Sequence, residues 1–549
     1  MSTHSSHVKE AVAEKSPHDV EHLPVEGVED DIVEFEEKKD LKRGLKQRHI
    51  QMIALAGTIG TGLFLGSGQA IAEGGPAGAL MGYTFVGCLV SCVCISIAEM
   101  AALVPLSGAI VRHAEYFFDP ALSFAQGWNT IYGSMVGLPA EITATAVLME
   151  FWVSVNSAVW ITVFGLCLFA SNLCLVKIYG ELEFSFAMLK IILIVGLILM
   201  GIIVSAGGGP DGTVYGFKYW HDPGPFVQYL SIKGSLGRFC GFWTTFSNAA
   251  YAYSGVESIP TAAAETRNPR RNIPKAAKRI FIRVAIFYIV SIFVVTLLVA
   301  SNDPDLLKST GTGTAAESPF VIAATNAGIP VIPHIVNAVV LTSAWSSGNS
   351  GMLGGSRALY GIAREGHAPK VFLRVNRFGI PYVAVCFIGV FVSLGYLSCG
   401  SNSAAEVFGW LQDLVSAATF VNWIIICLVY LRFYYGLRAQ GIDRKELPWA
   451  APFQPYAAWI GLISFSILFL TAGFAVFIHG EWDTEVFFSA YFNMPLIFAL
   501  YFGYKIVKRT KLVRYEDMPF QHFLQLARDN PEPPETPLKG WNKLQILWS

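Results

Sequence analysis

Apolar runs of at least eighteen residues, parted by short polar stretches, recur along nearly the whole chain. Runs of that length read as membrane-spanning helices, because about 20 residues rising 1.5 Å each cross a hydrocarbon layer of roughly 30 Å. The pattern predicts spans at roughly 50–72, 77–103, 121–150, 158–176, 182–206, 236–263, 279–301, 320–361, 380–398, 405–431, 455–478 and 485–507. The eighth stretch is too long for one span, and is expected to continue as helix past the bilayer around Arg357–Arg364. The expected fold class is an all-α membrane protein of about twelve transmembrane helices. Residues 46–510 would form the transmembrane domain, between a disordered N-terminal tail (1–45) and a polar, extended C-terminal tail (511–549) rich in proline. The loop at 207–235, with Tyr215, Phe217, Tyr219 and Trp220, reads as a partly ordered cap over the outer mouth.

Composition agrees. The 549 residues are 53% hydrophobic and 14% charged, with a mean hydropathy of +0.48. A net charge of -1 gives no electrostatic reason to expect nucleic acid. The nine cysteines lie in or beside apolar runs without metal-ligand spacing, so packing is expected of them; a Cys240–Cys399 disulfide is the less favoured alternative. No early apolar core marks a signal peptide, and the first span is expected to insert as its own anchor. With both termini taken as cytoplasmic, Lys and Arg crowd the inner loops, while the outer ones hold only Lys218, Lys233, Arg238 and Lys308. No catalytic motif, phosphate loop, cofactor site or metal site is apparent, which argues against an enzyme.

Two spans carry backbone-weak segments at corresponding places. The first holds Gly57-Thr58-Ile59-Gly60-Thr61-Gly62, and the sixth holds Tyr253-Ser254-Gly255-Val256-Glu257 ahead of Pro260. Such glycines lower helix propensity, although they also serve close helix packing. Interrupted helices at matching positions of two halves point to a transporter site near the midplane. A break frees N–H groups that attract a carboxylate and C=O groups that attract an ammonium. Together they suit the two poles of an α-amino acid. Residues 58–62, Ser254 and Gly255 are therefore candidate substrate contacts, with Tyr251 and Tyr253 just before the second break. Ser416 and Thr419, on the tenth span, are candidates for the substrate side chain.

Ionisable groups at membrane depth are costly and are functional candidates by default. Here they are Glu99, Glu141, Lys190, Glu257 and Asp413, with Glu150 and Glu183 nearer span ends. Glu183 and Lys190 share a helix face at an axial offset of about 10 Å, too far for direct pairing without a relay. Glu257 is read as a brace for the broken helices, and Glu99 as support for the packing of span two.

The chain resembles the amino-acid–polyamine–organocation superfamily, and most closely its fungal amino-acid permeases. The resemblance rests on Gly57–Gly62 after Leu45–Ile53, Gly180-Glu181-Leu182-Glu183-Phe184, Gly207–Pro210, Gly255-Val256-Glu257, Asn268–Lys275, Ser347-Gly348-Asn349-Ser350 with Ser356-Arg357, and Ala439-Gln440-Gly441. These stretches run in family order from about residue 40 to 510. The resemblance implies a five-plus-five inverted repeat with two additional C-terminal helices, and proton-coupled amino-acid uptake at a fungal plasma membrane. By the same resemblance, Lys190 stands where sodium-coupled relatives hold a cation. It is then either a proton carrier or a structural tether. Glu141 is either a second titrating group or a polar pocket partner, and its presence disfavours an acidic substrate. Tyr251 takes the position of the aromatic lid. Lysines of the N-terminal tail, Lys9, Lys15, Lys38 and Lys39, resemble sites for ubiquitin-driven endocytosis by a ligase partner; membrane lipids are the other expected partner. Neutral or broad-range amino acids are the expected substrates. A sensor on the same scaffold is the alternative, disfavoured by the short N-terminal tail.

Overall fold

The structure is a computed structural model that describes residues 60–105, 108–153, 155–174, 176–210, 212–258, 268–307, 318–376, 379–400 and 404–532. The expected N-terminal tail and the first part of the first span lie outside them. Among the described residues there is helix and no strand.

A π-helical turn, Gly62–Gly66, runs into α1 (Ser67–Leu103). Together they make 42 helical residues, twice what one crossing needs. The excess is resolved at Gly75, whose φ of 76° breaks the helix just before Pro76. A side chain at that φ would be strained, and proline has no N–H to continue the ladder. Residues 62–103 thus hold the end of the first span and all of the second. The short α2 (Ala109–Phe117) leads to α3 (Pro120–Glu150), started by Asp119 accepting from the Ala121 N–H at 2.8 Å with proline at the first position. Next come α4 (Ser157–Cys174) and α5 (Val176–Ile203). The outer loop carries one helical turn, α6 (Lys218–His221), where Trp220 donates to Thr296 at 3.3 Å.

The second half begins with α7 (Ser235–Tyr253) and α8 (Pro269–Arg283), which continues through a π-helical segment, Val284–Val290, into α9 (Ser291–Leu298). The short α10 (Pro304–Leu307) and α11 (Pro319–Asn326) precede α12 (Ile332–Arg364). The long eighth stretch is therefore two helices. A turn with Gly328 at φ 70° and Pro330 separates α11 from α12, which alone reaches Arg364. Then follow α13 (Tyr382–Val390), tightened into a 3₁₀ segment Phe391–Cys399, α14 (Ala404–Ala439) and α15 (Tyr456–Thr471). The last span is α16 (Thr484–Tyr491) and α17 (Asn493–Lys508), bent by 41°. Cys240 and Cys399 are both free.

The segment after 510 is not simply extended. Residues 520–529 form α18, because Phe520, Phe523 and Leu524 fall on one face and are buried. Phe520 stacks on Phe117 and meets Phe433 edge-on, at centroid distances of 5.4 and 5.3 Å. Gln440 donates to the carbonyls of Tyr515 and Met518, and the Glu532 carboxylate accepts the Arg270 and Arg271 N–H groups in the first turn of α8 at 2.7 and 3.1 Å.

The apolar interior falls into two main clusters. The larger joins α1, α7, α9, α14 and α15 through Phe64, Val90, Tyr253, Ile292, Trp423 and Phe465. The second joins α3, α4, α12 and α13 through Ile131, Ile142, Leu168, Met352 and Ile388. The polar side chains described next lie where the two meet. The expected class holds: an all-helical membrane fold of about twelve spans, five plus five with two further helices; α7 breaks off at Tyr253, while the expected break of the first span falls mostly on residues outside the described ones.

Candidate substrate and proton site

The described start of the first span crosses the end of α7 in main-chain contact. A Cβ on Gly62 would stand 2.6 Å from Ala252 Cα and 2.9 Å from Tyr251 Cδ1, so only hydrogen fits there. The helix α7 ends at Tyr253; Ser254 turns to ψ 137° and Gly255 takes φ 83°, a conformation natural to glycine.

Around this crossing the hydroxyls of Thr61 and Tyr251 lie 3.0 Å apart. Thr61 donates to Glu141 Oε2 at 3.1 Å, and Ser347 donates to Glu141 Oε1 at 3.0 Å. A Cβ on Gly60 would meet Glu141 Oε1 at 2.8 Å. Glu141 thus sits on α3 with its carboxylate shared between the first span and α12. The Tyr251 ring also meets Phe408 edge-on at 5.9 Å. Beside this group, Lys190 of α5 is fully buried and donates to Ser346 Oγ at 3.3 Å. Ser346 in turn lies 2.8 and 2.7 Å from the two Glu183 carboxylate oxygens. Buried charges of this kind are tolerated only when paired and hydrogen-bonded.

The structure therefore brings together Gly60, Thr61, Gly62, Tyr251, Glu141 and, alongside them, Lys190. Thr58 and Ile59 lie outside the described residues. Ser254 and Gly255 form the second break itself. Tyr253 points away: its hydroxyl donates to the Tyr83 carbonyl at 3.1 Å, and its ring packs on Tyr288 at 4.3 Å. Ser416 spends its hydroxyl on the Gln412 and Ser247 carbonyls at 2.9 and 3.1 Å, and Thr419 on Val415 at 2.8 Å. Glu257 accepts from Asn422 at 2.6 Å and Trp423 at 3.0 Å, tying the second break to α14. Glu99 lies apart, fully buried, and accepts from Tyr430, Arg444 and the Ala451 N–H. Asp413 accepts from Ser489 on α16 at 3.2 Å.

Ser346 was not foreseen, and Ser347 entered only as part of a family motif. The signal was the polar run Ser346–Ser350 inside an otherwise apolar span.

Residues 49–516 match the family model described as amino acid permease. A dicarboxylic amino acid permease of Saccharomyces cerevisiae is 38% identical over 496 residues, covering 89% of this chain and 81% of the relative. A proline-specific permease of Emericella nidulans is 42% identical over 483 residues, 87% of each. A general amino-acid permease of Candida albicans is 39% identical over 470 residues, 85% of this chain and 78% of the relative. Among solved structures, a manganese transporter of Eremococcus coleocola is 14% identical with a TM-score of 0.54, covering 88% of this chain and 96% of that one; this likeness concerns the fold alone. The chain belongs to the amino acid permease family, as a multi-pass membrane protein of amino-acid transport.

Proposed function

We propose that this permease imports amino acids across the plasma membrane in symport with protons, by alternating access, with both termini cytoplasmic. The observation that carries the reading is the main-chain contact of the first span with the end of α7 at Gly62 and Ala252, beside the buried Glu141 carboxylate. N–H groups freed near residues 58–62 take the substrate carboxylate, and carbonyls freed at the end of α7 take its ammonium. Tyr251 closes over the bound molecule, its hydroxyl already engaged with Thr61. Glu257 and Glu99 hold the surrounding helices. Ser254 and Gly255 shape the break, while Tyr253, Ser416 and Thr419 support it from behind.

Alternating access is read as rocking of one helix group against another around this central site. Lys190 and Glu141 are a buried amine and carboxyl whose summed charge one proton changes. Binding a proton with the zwitterion lets the loaded site pass through the closed state with its charge balanced. Lys190 and Glu141 are the proton carriers. Neutral or broad-range substrates are favoured, because a carboxylate at the pocket repels an acidic side chain and the relatives' names span proline, dicarboxylic and general amino-acid transport. Residues 1–45 and 511–549 are cytoplasmic flanks, the former a docking segment for ubiquitin-ligase machinery.

The test is uptake of a panel of labelled amino acids in a permease-deficient fungal strain, at several external pH values, with and without an uncoupler. Saturable uptake of neutral amino acids that the uncoupler abolishes is expected. Binding at the surface without uptake would favour the sensor reading instead.

A further inference from the structure

Glu183 has no part in the reading so far, yet it is a carboxylate only 1% exposed. It stands seven residues before Lys190 on α5, about 10 Å along the axis and closer to the end where α5 begins. That end also carries the last turns of α4 and of the leg 76–103, and on the topology proposed above it is the inner side. The hydroxyl of Ser346, on α12, stands between the two charges, 3.3 Å from Lys190 Nζ and 2.7 to 2.8 Å from the Glu183 oxygens.

Donor chemistry settles the direction of these bonds. An ammonium has only hydrogens to give and an ionised carboxylate has only lone pairs, so the Ser346 hydroxyl accepts from Lys190 and donates to Glu183. This is a hydrogen-bonded line already polarised from the lysine toward the glutamate, with both gaps of hydrogen-bond length. The neighbouring Ser347 donates to Glu141 instead, so two consecutive hydroxyls of α12 serve two different carboxylates.

We propose that Ser346 and Glu183 are the inner exit for the coupled proton, receiving it from Lys190 after it has crossed with the substrate. This rests on the symport reading above. In the step, an Nζ–H bond of Lys190 breaks and its proton joins the Ser346 oxygen, while that oxygen passes its own proton to Glu183. The ammonium becomes an amine, the hydroxyl is restored, and the carboxylate becomes an acid. A positive–negative pair turns into a neutral pair, and the count of protons is unchanged. The acid then loses its proton to inner water, and the site returns empty and uncharged at Lys190. Among the charges acting on Lys190 are Glu183 on its own helix and Glu141 on α3. Glu141 faces the substrate break and Glu183 the opposite end, so the proton enters by one carboxylate and leaves by the other.

The test compares wild type with Ser346→Ala, Glu183→Gln and Ser346→Thr in sealed vesicles, at matched amounts of inserted protein. Two quantities are read. One is counterflow, the exchange of labelled for unlabelled amino acid, which the loaded carrier performs without releasing its proton. The other is accumulation under an imposed proton gradient. The expected result is counterflow within about twofold of wild type in all three variants. Accumulation should fall at least tenfold in Ser346→Ala and Glu183→Gln, and persist in Ser346→Thr, which keeps a hydroxyl. Wild-type accumulation in either of the first two overturns the relay, as does an equal loss of counterflow, which would mark a structural role. Failure of the wild type to respond to the proton gradient would instead overturn the symport reading.

Discussion

The hydroxyl of Thr61, in the first span, lies 3.0 Å from that of Tyr251, in the last turn of α7. Thr61 also donates to Glu141. One threonine thus joins the first span, the end of α7 and the carboxylate of α3, and it is at this triple contact that the proposed lid and proton carrier meet.

Tyr251→Phe keeps the ring against Phe408 and removes the hydroxyl. Losing one hydrogen bond of about 1 kcal/mol should raise the half-saturating substrate concentration roughly fivefold. Tyr251→Ala, which also removes the lid, should lose far more. Concentration-dependent uptake at matched surface amounts checks both, and an unchanged Tyr251→Phe would remove the hydroxyl from the pocket.

A methyl group at Gly62 would press on the main chain of Ala252 at 2.6 Å. Gly62→Ala should therefore part the two helices and cut the uptake rate at least about fivefold, the kinetic equivalent of 1–3 kcal/mol of overpacking. Gly196→Ala, with open space around its Cβ, is the control and should transport normally. Equal behaviour of the two would show that the crossing is not tight.

Glu99 has no exposure and takes two bonds from Arg444, one from Tyr430 and one from the Ala451 N–H. Arg444→Met leaves that carboxylate without its cation and should cost on the order of 3 kcal/mol. Thermal unfolding in detergent reads this as a lowered midpoint, and an unchanged midpoint would contradict the pairing.

Much of the scaffold was legible because membrane burial writes itself as long apolar runs. The leg boundaries around Gly75-Pro76 and the end of α7 before Gly255 lie where those breakers stand. The eighth stretch misled because α11 and α12 are both apolar, and the Gly328–Pro330 turn between them interrupts hydropathy too briefly to notice. The C-terminal helix α18 was hidden because its apolar residues are interleaved with polar ones over only ten positions. In the site, Glu141 and Lys190 stood out as charges where charge is costly. Ser346 did not, because a hydroxyl in a span is common and only tertiary contact reveals which groups it joins. Tyr253 looked like a pocket residue from its place beside the break, but helical rotation of two residues from Tyr251 turns it toward Tyr83 and Tyr288.

His113, on α2 outside the spans, is fully buried, and burial pushes its pKa from 6.5 down to about 4 against the opposing bond to the Val104 carbonyl. The folded protein holds this imidazole neutral, whereas the unfolded chain binds a proton near pH 6.5. Its contribution to stability is complete above that value and is lost as the pH falls toward 4. Between pH 7.5 and 5, the melting midpoint of wild type should drop further than that of His113→Gln. Identical drops would contradict the burial of a neutral histidine.

The central claim is that amino acid and proton move together through the seam between the broken spans. The direct measurement is simultaneous recording of labelled amino-acid entry and lumenal pH in liposomes carrying the purified protein. With the outside acidic, the account predicts accumulation of a neutral amino acid above its outside concentration, and substrate-dependent acidification of the lumen in fixed proportion. Entry that stops at equal concentrations, with no substrate-dependent change in lumenal pH, would contradict it.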